Sequence, residues 1–398
     1  MSNKIRNFET KFVFILSPFF SIPFLVKGIV NKSKVHVYLL MGVIAFVSLM
    51  YLPEPSNDRS HYYSLYNLYK IISFKEFLIF LKTKTDFIFY SLIFIAAQLK
   101  IPLNFLFAII LFLTLNNYYK SFFTLSKKYD PGKLFALFIF FILFSFQIKG
   151  LLSGVRFYLA ASFMVRALIL SSKSTKLYVG LPYLLIAVFT HFSTAIFAPV
   201  YLLYFYFKRN DKLILYSFLV SFAFIFVPRD LLADKLMSIF DFSGIYEQKI
   251  TGYLGEEDYL EDSKQVGNFN NYLRLIFNSL WLYIAYYYFI FYRKKKSLLK
   301  NLLLSILAIT NVFFSSPGTY YRLMFVPIIF FIFLLLRDYS QGVSNKKIIY
   351  LVFLLVSLNF WGNFYAIRST LGSSLIKLEA LTGPTMIMKE DINYYDIK

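Results

Sequence analysis

The sequence predicts an all-α, polytopic membrane protein of about 11–14 transmembrane helices with one larger outer loop, judged by the number and length of its apolar blocks. The composition supports this, because 58% of the 398 residues are hydrophobic and the mean hydropathy is +0.60. A soluble chain of this size could not bury that much apolar surface. Apolar blocks of about 14–22 residues recur, and about 20 helical residues cross a bilayer. Lys and Arg concentrate in the short connections between the blocks.

The apolar blocks predict the transmembrane spans in chain order. They lie near residues 12–30, 35–52, 86–99, 101–117, 134–148, 151–171, 177–190, 192–207, 213–228, 271–292, 298–314, 319–336 and 347–362. We expect one integral membrane domain, 1–398, that ends in a C-terminal tail, 363–398. The N-terminal stretch has no small-residue cleavage pattern, so we expect it to be retained.

The charges between the spans predict the topology. Five connections are basic and are expected to be cytoplasmic under the positive-inside rule; they are 120–133, 171–176, 208–212, 293–296 and 337–347. The longest connection, about 229–270, holds nine acidic residues against four basic ones and should face outward. These clusters account for the net charge of +21, so nucleic acid is not a predicted partner.

Several chemistries leave no pattern in this chain. Cysteine is absent, which excludes disulfides and thiol chemistry. We find no nucleotide-binding Gly loop and no His/carboxylate cluster for a metal, so no cofactor is predicted.

His191 stands in the middle of an uncharged apolar run, 177–207. Both ends of the run adjoin basic connections and are expected inside, so the chain must go out and return. Yet the run has only 31 residues, and two full crossings need about 20 residues each. The hairpin should therefore turn near His191, in the outer half of the bilayer or in a recess, where protein or water surrounds a polar tip.

Other ionisable residues are predicted at the same outer level. Arg156 lies a few residues into the span 151–171, and Arg322 follows Tyr320 and Tyr321 at the outer start of a late span. Arg166 lies ten residues beyond Arg156, nearer the inner side. Each arginine could simply extend to the headgroups, and a lone histidine could bond a neighbouring helix. Together they predict a polar site, because ionisable groups at this depth are costly.

The early segment 51–69, "YLPEPSNDRSHYYSLYNLY", carries Asp58 and a tyrosine series that begins with Tyr62 and Tyr63. A carboxylate beside aromatic rings suits sugars, since it accepts from hydroxyls and the rings stack on pyranose faces. An interfacial aromatic belt is the alternative interpretation. If 86–99 and 101–117 are both full spans, the segment 53–85 lies inside. If Asp58 faces outward, the chain between 64 and 117 must cross an odd number of times, and an amphipathic or partly inserted helix at 68–82 could change the count. The sequence leaves both open.

Four stretches resemble motifs of the EpsG family of polysaccharide polymerases, relatives of the Wzy-type O-antigen and capsule polymerases. They are "SNDRSHYYSLY", "SGVRFYLAASF", "AVFTHFSTAIFAPVYLL" and "PGTYYRLMFVP". They occur in the family's order and extend over most of the chain, and the large acidic outer loop also suits Wzy-type enzymes. One departure is that the family's early motif usually carries more Gly before the Asp, where this chain has Pro-Ser-Asn-Asp.

The resemblance implies a glycosyltransferase in the bacterial cytoplasmic membrane that joins oligosaccharide repeat units carried on undecaprenyl pyrophosphate. A sugar hydroxyl of one unit attacks the anomeric carbon of the growing chain, and undecaprenyl pyrophosphate leaves. The implied partners are the lipid-linked oligosaccharide, the lipid bilayer, a chain-length regulator and a flippase.

The candidate residues fit that chemistry. Arginines hold phosphates in bidentate fashion, so Arg156 and Arg322 are candidates for the pyrophosphate clamp. An unperturbed histidine titrates near neutrality, so His191 could take the proton of the attacking hydroxyl, and Asp58 could do so instead if it faces outward. The predicted substrate-binding set comprises Tyr62, Tyr63, Tyr320, Tyr321 and Arg166.

Three competing functions stay open. A lipid-sugar-dependent transferase of the GT-C type would add one sugar and leave no ladder of chain lengths. An O-antigen ligase typically carries an essential histidine in its large outer loop, and 229–270 has none. A flippase or other transporter would move units without lengthening them, and its paired, broken helices have no visible counterpart here.

Overall fold

The protein is described from a computed structural model, which covers residues 3–49, 51, 58–174, 176–207, 209–228, 231 and 297–366. The prediction of an all-α polytopic membrane protein is confirmed, since these residues form α-helices and 3-10 helices and contain no strand. The predictions for the outer loop (residue 231 apart), for the span 271–292 and for the tail beyond 366 fall outside the described residues.

The α-helices follow one another along the chain with short connections. They are α1 Asn3–Leu16, α2 Ile22–Val30, α3 Lys34–Leu49, α4 Asp58–Tyr69, α5 Phe74–Leu81, α6 Phe87–Gln98, α7 Leu103–Ser126, α8 Phe135–Phe144, α9 Ile148–Ser153, α10 Val155–Lys173, α11 Leu181–Thr190, α12 Ala198–Phe207, α13 Asp211–Ser221, α14 Leu298–Asn311, α15 Pro317–Leu323, α16 Phe325–Ser340 and α17 Lys346–Ala366. The 3-10 helices are Gly132–Leu134, Leu177–Val179, Phe192–Phe197 and Phe222–Phe226.

Within the described residues, three helices are long and apolar enough to cross a membrane by themselves: Leu103–Ser126, Val155–Lys173 and Lys346–Tyr365. Other predicted spans are divided into shorter helices. The span 12–30 is two helices, α1 and α2, because Pro18 follows the end of α1 and cannot continue the helical hydrogen bonding. In α17 only 22% of the most apolar window is buried, as expected for a helix that faces lipid.

The long helices define two opposite ends of the molecule. α7 and α10 run parallel, because Asn117 bonds Ser162 (3.1 Å) near their middle and Thr124 bonds Arg166 (2.9 Å) further on. α3 runs antiparallel to α7, with the ammonium of Lys34 over the Phe123 ring. At this end an ion pair also joins Lys32, next to α3, to Asp130 in the basic connection (3.3 Å). We call it the Lys32 end, and the other the Arg156 end.

At the Arg156 end, α4, α5 and α6 form an aromatic layer on the starts of α7 and α10. Tyr62 of α4 packs on Phe89 of α6 (ring centroids 4.9 Å apart), and Phe77 of α5 stacks on Phe94 of α6 (4.0 Å). These rings belong to a buried cluster that also contains Val155 and Leu159 of α10, separate from the main core. The layer therefore rests on the end of the bundle.

The predicted span 86–99 is wrong as a membrane crossing. Asp86, just before α6, bonds the first turn of α10, and the residues after α6 lead directly into the start of α7. α7 and α10 begin at the same end, so α6 enters and leaves at the Arg156 end. Its 12 residues also fall short of the about 20 that a crossing requires. Asp58 lies at the Arg156 end as well, because the next residue, Arg59, bonds Leu152 near the end of α9 and Asn104 at the start of α7.

The hairpin predicted around His191 is present. α11 ends at Thr190, His191 adopts an extended conformation (φ −153°, ψ 112°), and a 3-10 helix follows. The returning helix, α12, brings the Tyr201 hydroxyl to the Leu177 carbonyl, to which it donates a hydrogen bond. A straight helix of that length would hold these two residues about 36 Å apart, so the chain must reverse between them.

Candidate active site at the Arg156 end

Arg156 owes its position to a glycine between two helices. Gly154 ends α9 and precedes α10, and its N–H donates to the Gly150 carbonyl (2.7 Å). A Cβ at Gly154 would stand 3.0 Å from that carbonyl oxygen, a close approach that favours glycine. The short turn starts α10 at Val155 and places Arg156 in its first turn, facing the α4–α6 layer.

Asp86 is the direct partner of Arg156. The guanidinium Nη1 donates to Asp86 Oδ2 over 2.7 Å and lies 3.3 Å from the Tyr90 hydroxyl. The Asp86 side chain is 1% exposed and that of Arg156 11%, so each charge is compensated by the other in a setting of low dielectric. The guanidinium also lies 5.8 Å from the centroid of the Tyr62 ring, within the range of a cation–π contact.

The same carboxylate bonds the chain beside His191. The N–H of Phe192 donates to Asp86 Oδ1 over 2.8 Å, and the Thr85 hydroxyl donates to that oxygen over 3.0 Å. The His191 ring is packed edge-on against Phe157, the residue after Arg156, with centroids 5.6 Å apart. Arg156 and His191, which the sequence placed on separate helices at one level, are therefore neighbours, and Asp86 joins them.

His191 is held from its own loop. The side chain is buried, 3% exposed, and its Nδ1 accepts the Ser193 N–H (3.3 Å) with the Ser193 hydroxyl at 2.8 Å. A backbone N–H is always a donor, so this hydrogen bond assigns Nδ1 as an acceptor and the ring proton to Nε2 in the neutral imidazole. The imidazole thereby caps the 3-10 helix that follows it.

Arg59 is a second buried arginine at this end, and it was not among the predicted site residues. It is 0% exposed, and its donors reach Ser48 Oγ (3.2 Å), Ser48 O (2.7 Å), Leu152 O (3.4 Å) and Asn104 Oδ1 (3.1 Å). Among the described residues, no carboxylate forms an ion pair with it. Arg59 thus ties α4 to the ends of α3, α7 and α9.

The early motif divides between surface and interior. Asp58 is exposed in the first turn of α4 and lies near enough to Tyr62 and Tyr90 for its charge to act on their hydroxyls. Tyr62 and Tyr63 are only 2% and 3% exposed. The Tyr63 hydroxyl donates a hydrogen bond to Asn104 Oδ1, which also accepts one from Arg59. Their role in stacking on sugars stays a prediction; in this conformation protein covers both rings.

The remaining predicted residues lie in different places. Arg322 is exposed in α15, and the next helix begins with Phe325, which packs on Tyr158 of α10 (4.9 Å). Arg322 therefore lies at the Arg156 end. Tyr320 is buried against Phe314, and the Tyr321 side chain lies outside the described residues.

Arg166, predicted to bind substrate, is not part of this cluster. It donates to the Lys120 carbonyl (3.0 Å) and to Thr124 at the Lys32 end. Ten residues of helix separate Arg166 from Arg156 by about 15 Å, so Arg166 lies outside the cluster of Arg156, Asp86 and His191.

Asp86 and Tyr90, like Arg59, are residues that the sequence analysis missed. An Asp directly before an apolar helix is usually an N-cap that bonds its own helix. Here the Asp86 side chain makes no such bond, because both oxygens serve Arg156 and Phe192. The only signal in the sequence was an acidic residue at the border of an apolar block. An acidic residue in that position need not face water. In the described part of the chain no three His, Cys, Asp or Glu residues group as a metal site would require.

Comparison with known families agrees with the motif resemblance. The model of the EpsG family matches residues 34–377, most of the chain. The chain belongs to the EpsG family. Membership supports a membrane-bound, polymerase-like role in polysaccharide biosynthesis in general. No curated protein and no solved structure matches the chain, so the details of the reaction rest on this EpsG-family chain's own residues.

Proposed function

We propose that the protein is a polysaccharide polymerase that joins undecaprenyl-pyrophosphate-linked oligosaccharide units at the outer face of the bacterial cytoplasmic membrane. Family membership supports the class of reaction. The orientation is supported by the basic connections, which the positive-inside rule assigns to the cytoplasm. The Lys32 end carries one of these connections, so the Arg156 end would face outward.

The reaction is a glycosyl transfer between two lipid-linked units. A hydroxyl oxygen of the incoming unit forms a bond to the anomeric carbon of the growing chain. The bond from that carbon to the pyrophosphate oxygen breaks, and its electron pair leaves with undecaprenyl pyrophosphate. The hydroxyl proton passes to a base. The enzyme must therefore stabilise negative charge on the leaving pyrophosphate and accept one proton.

The observation that carries the proposal is the buried Arg156 beside the His191 loop. A guanidinium fixed by a carboxylate and an aromatic ring has little side-chain entropy left to lose when it binds phosphate oxygens. Its Nη1 donates to Asp86, and the planar fork of a guanidinium matches the geometry of phosphate oxygens. Arg322, exposed at the same end, supplies a second cation that could approach the pyrophosphate from the water side.

The proton acceptor is better assigned to Asp58 than to His191. His191 uses Nδ1 to accept from Ser193, so its remaining nitrogen carries a proton and can donate to an oxygen. That geometry suits a hydrogen bond to the substrate or the leaving group. Asp58 is exposed at the same end, where a sugar hydroxyl could reach its carboxylate, as a base requires.

The test is the chain-length ladder of lipid-linked and surface glycans in a deletion strain. The strain is complemented with wild type, Arg156→Lys, His191→Ala, Asp58→Asn or Arg166→Lys. Arg166→Lys is the matched control, because it makes the same change on the same helix at the other end. We expect the deletion to leave single repeat units only. Wild type and Arg166→Lys should restore the ladder, and Arg156→Lys should lower polymer on the order of a hundredfold.

The outcomes separate the competing functions. Loss of even the single-unit product would favour the GT-C transferase or the flippase. An unchanged ladder in the deletion strain would exclude this polymerase role for that glycan. A flippase and a chain-length regulator are the partners that such an enzyme requires, and the same gels would reveal a regulator through the modal chain length.

A further inference from the structure

We propose that Asp86 is the positioning residue of this site, holding the Arg156 guanidinium and the His191 loop in register through its two carboxylate oxygens. The inference rests on the proposed function, because Asp86 positions residues that we assign to that reaction. The evidence for it is geometric. Oδ2 receives Arg156 Nη1 (2.7 Å), and Oδ1 receives the Phe192 N–H (2.8 Å). One side chain thus joins the two predicted catalytic elements, which are 35 residues apart in sequence.

The burial of Asp86 makes this connection strong. Hydrogen bonds to a charged acceptor are shorter and about twice as strong as neutral ones. The carboxylate is almost fully buried, so loss of either bond leaves a polar group without water to replace its partner. Thr85 adds a third bond to Oδ1 (3.0 Å), which fixes the carboxylate plane and hence the direction in which each oxygen points.

Comparison with the other ion pairs of the described residues shows why Asp86 is more than a packing contact. Lys32–Asp130 is exposed and joins two loops at the opposite end. Arg337–Asp338 is buried, but its two members are neighbours on one helix (3.5 Å). Of these three acidic residues, Asp86 is the one whose partners lie on the two elements that carry Arg156 and His191.

The two oxygens allow the two connections to be cut separately. In Asp86→Asn, the amide oxygen still accepts from Phe192 and Thr85, but the amide NH₂ presents donors to the guanidinium, so the Arg156 connection is lost. In Asp86→Ala both connections are lost. A role in folding alone predicts that loop order and activity decline together in both variants. A positioning role predicts that Asp86→Asn keeps the loop in place and still loses activity.

Loop order can be measured by cysteine labelling, because the chain has no native cysteine. Ala195→Cys, in the 3-10 helix after His191, provides a half-buried reporter. Asp86→Ala should speed its reaction with a membrane-impermeant maleimide at least about fivefold, since one buried hydrogen bond holds the loop by roughly that factor. Asp86→Asn should label close to wild type, and Asp130→Asn is the matched control that should change nothing.

Activity is measured in membranes supplied with lipid-linked repeat units. Both Asp86 variants should raise the apparent KM for the lipid-linked unit about tenfold or more. When Arg156→Lys is already present, adding Asp86→Asn should raise the apparent KM no further. Unchanged labelling in Asp86→Ala, or full activity in Asp86→Asn, would overturn the inference. Labelling requires no polymer, so a failed ladder test contradicts the proposed function without deciding whether Asp86 holds the loop.

Discussion

At the scale of single residues, the Arg156 end is built around charged side chains that each form several hydrogen bonds away from water. Arg59 shows the principle most clearly, because it is fully buried and satisfies four acceptors on three other elements. Its guanidinium also lies 4.5 Å from the Phe107 ring centroid. Arginine suits this position since its five donors lie in one rigid plane, whereas lysine offers three donors on a point charge.

We therefore predict that Arg59→Lys destabilises the protein. Three donors cannot serve four buried acceptors, so at least one acceptor loses its partner, at a cost of about 1–3 kcal/mol. The apparent melting temperature of the detergent-purified protein measures the effect. Arg166→Lys is the matched control, because Arg166 serves only two acceptors, the Lys120 carbonyl and the Thr124 hydroxyl. Equal melting temperatures for the two variants would show that Arg59 is not the tie we describe.

The contrast between His191 and Asp86 shows which residues a sequence reveals. His191 was predictable, because a polar residue in an apolar run too short for two crossings marks a turn, and the structure has that turn. Asp86 was not, because its partner Arg156 is 70 residues away and nothing local relates them. Local patterns carry no information about which distant side chain completes an ion pair.

At the scale of helices, apolar composition predicted which segments form helices better than it predicted which of those helices cross the membrane. α7 and α10 were recognised as spans and are long enough to be so. α6 is as apolar as a span but has only 12 residues, and it enters and leaves at the Arg156 end. Its apolar residues pack into the aromatic layer with α4 and α5, where Phe89 and Phe94 are buried. Hydropathy cannot distinguish burial in protein from burial in lipid.

The path of α6 gives a prediction that needs no knowledge of orientation. Lys82 and Lys100 flank α6 and are both exposed. In the cysteine-free chain, Lys82→Cys and Lys100→Cys should react with an impermeant maleimide from the same side of the membrane. A crossing helix would place them on opposite sides. Labelling from opposite sides would restore 86–99 as a span and would require Asp86 to leave Arg156.

At the scale of the whole molecule, the two ends have different chemistry. The Lys32 end carries Lys127, Lys128 and Lys173, whereas the Arg156 end combines exposed lysines such as Lys82 and Lys100 with buried charges that Asp86 or neutral acceptors compensate. Orientation in the bilayer follows the Lys and Arg residues of the short connections between spans, and buried, compensated charges contribute little to it. Loop composition therefore predicts the overall topology, while the assembly of the site depends on contacts that only the fold creates.

This asymmetry predicts the sidedness of the site. His61 is exposed on α4 at the Arg156 end, and Lys128 is exposed in the basic connection. In intact cells, His61→Cys should react with the impermeant maleimide and Lys128→Cys only after permeabilisation. Orientation is fixed by several basic connections together, so neither single substitution should invert it. The reverse labelling pattern would place Arg156 and His191 in the cytoplasm, where repeat units already moved to the outer leaflet cannot reach them. It would thereby favour a transferase that assembles the unit over a polymerase that joins finished ones.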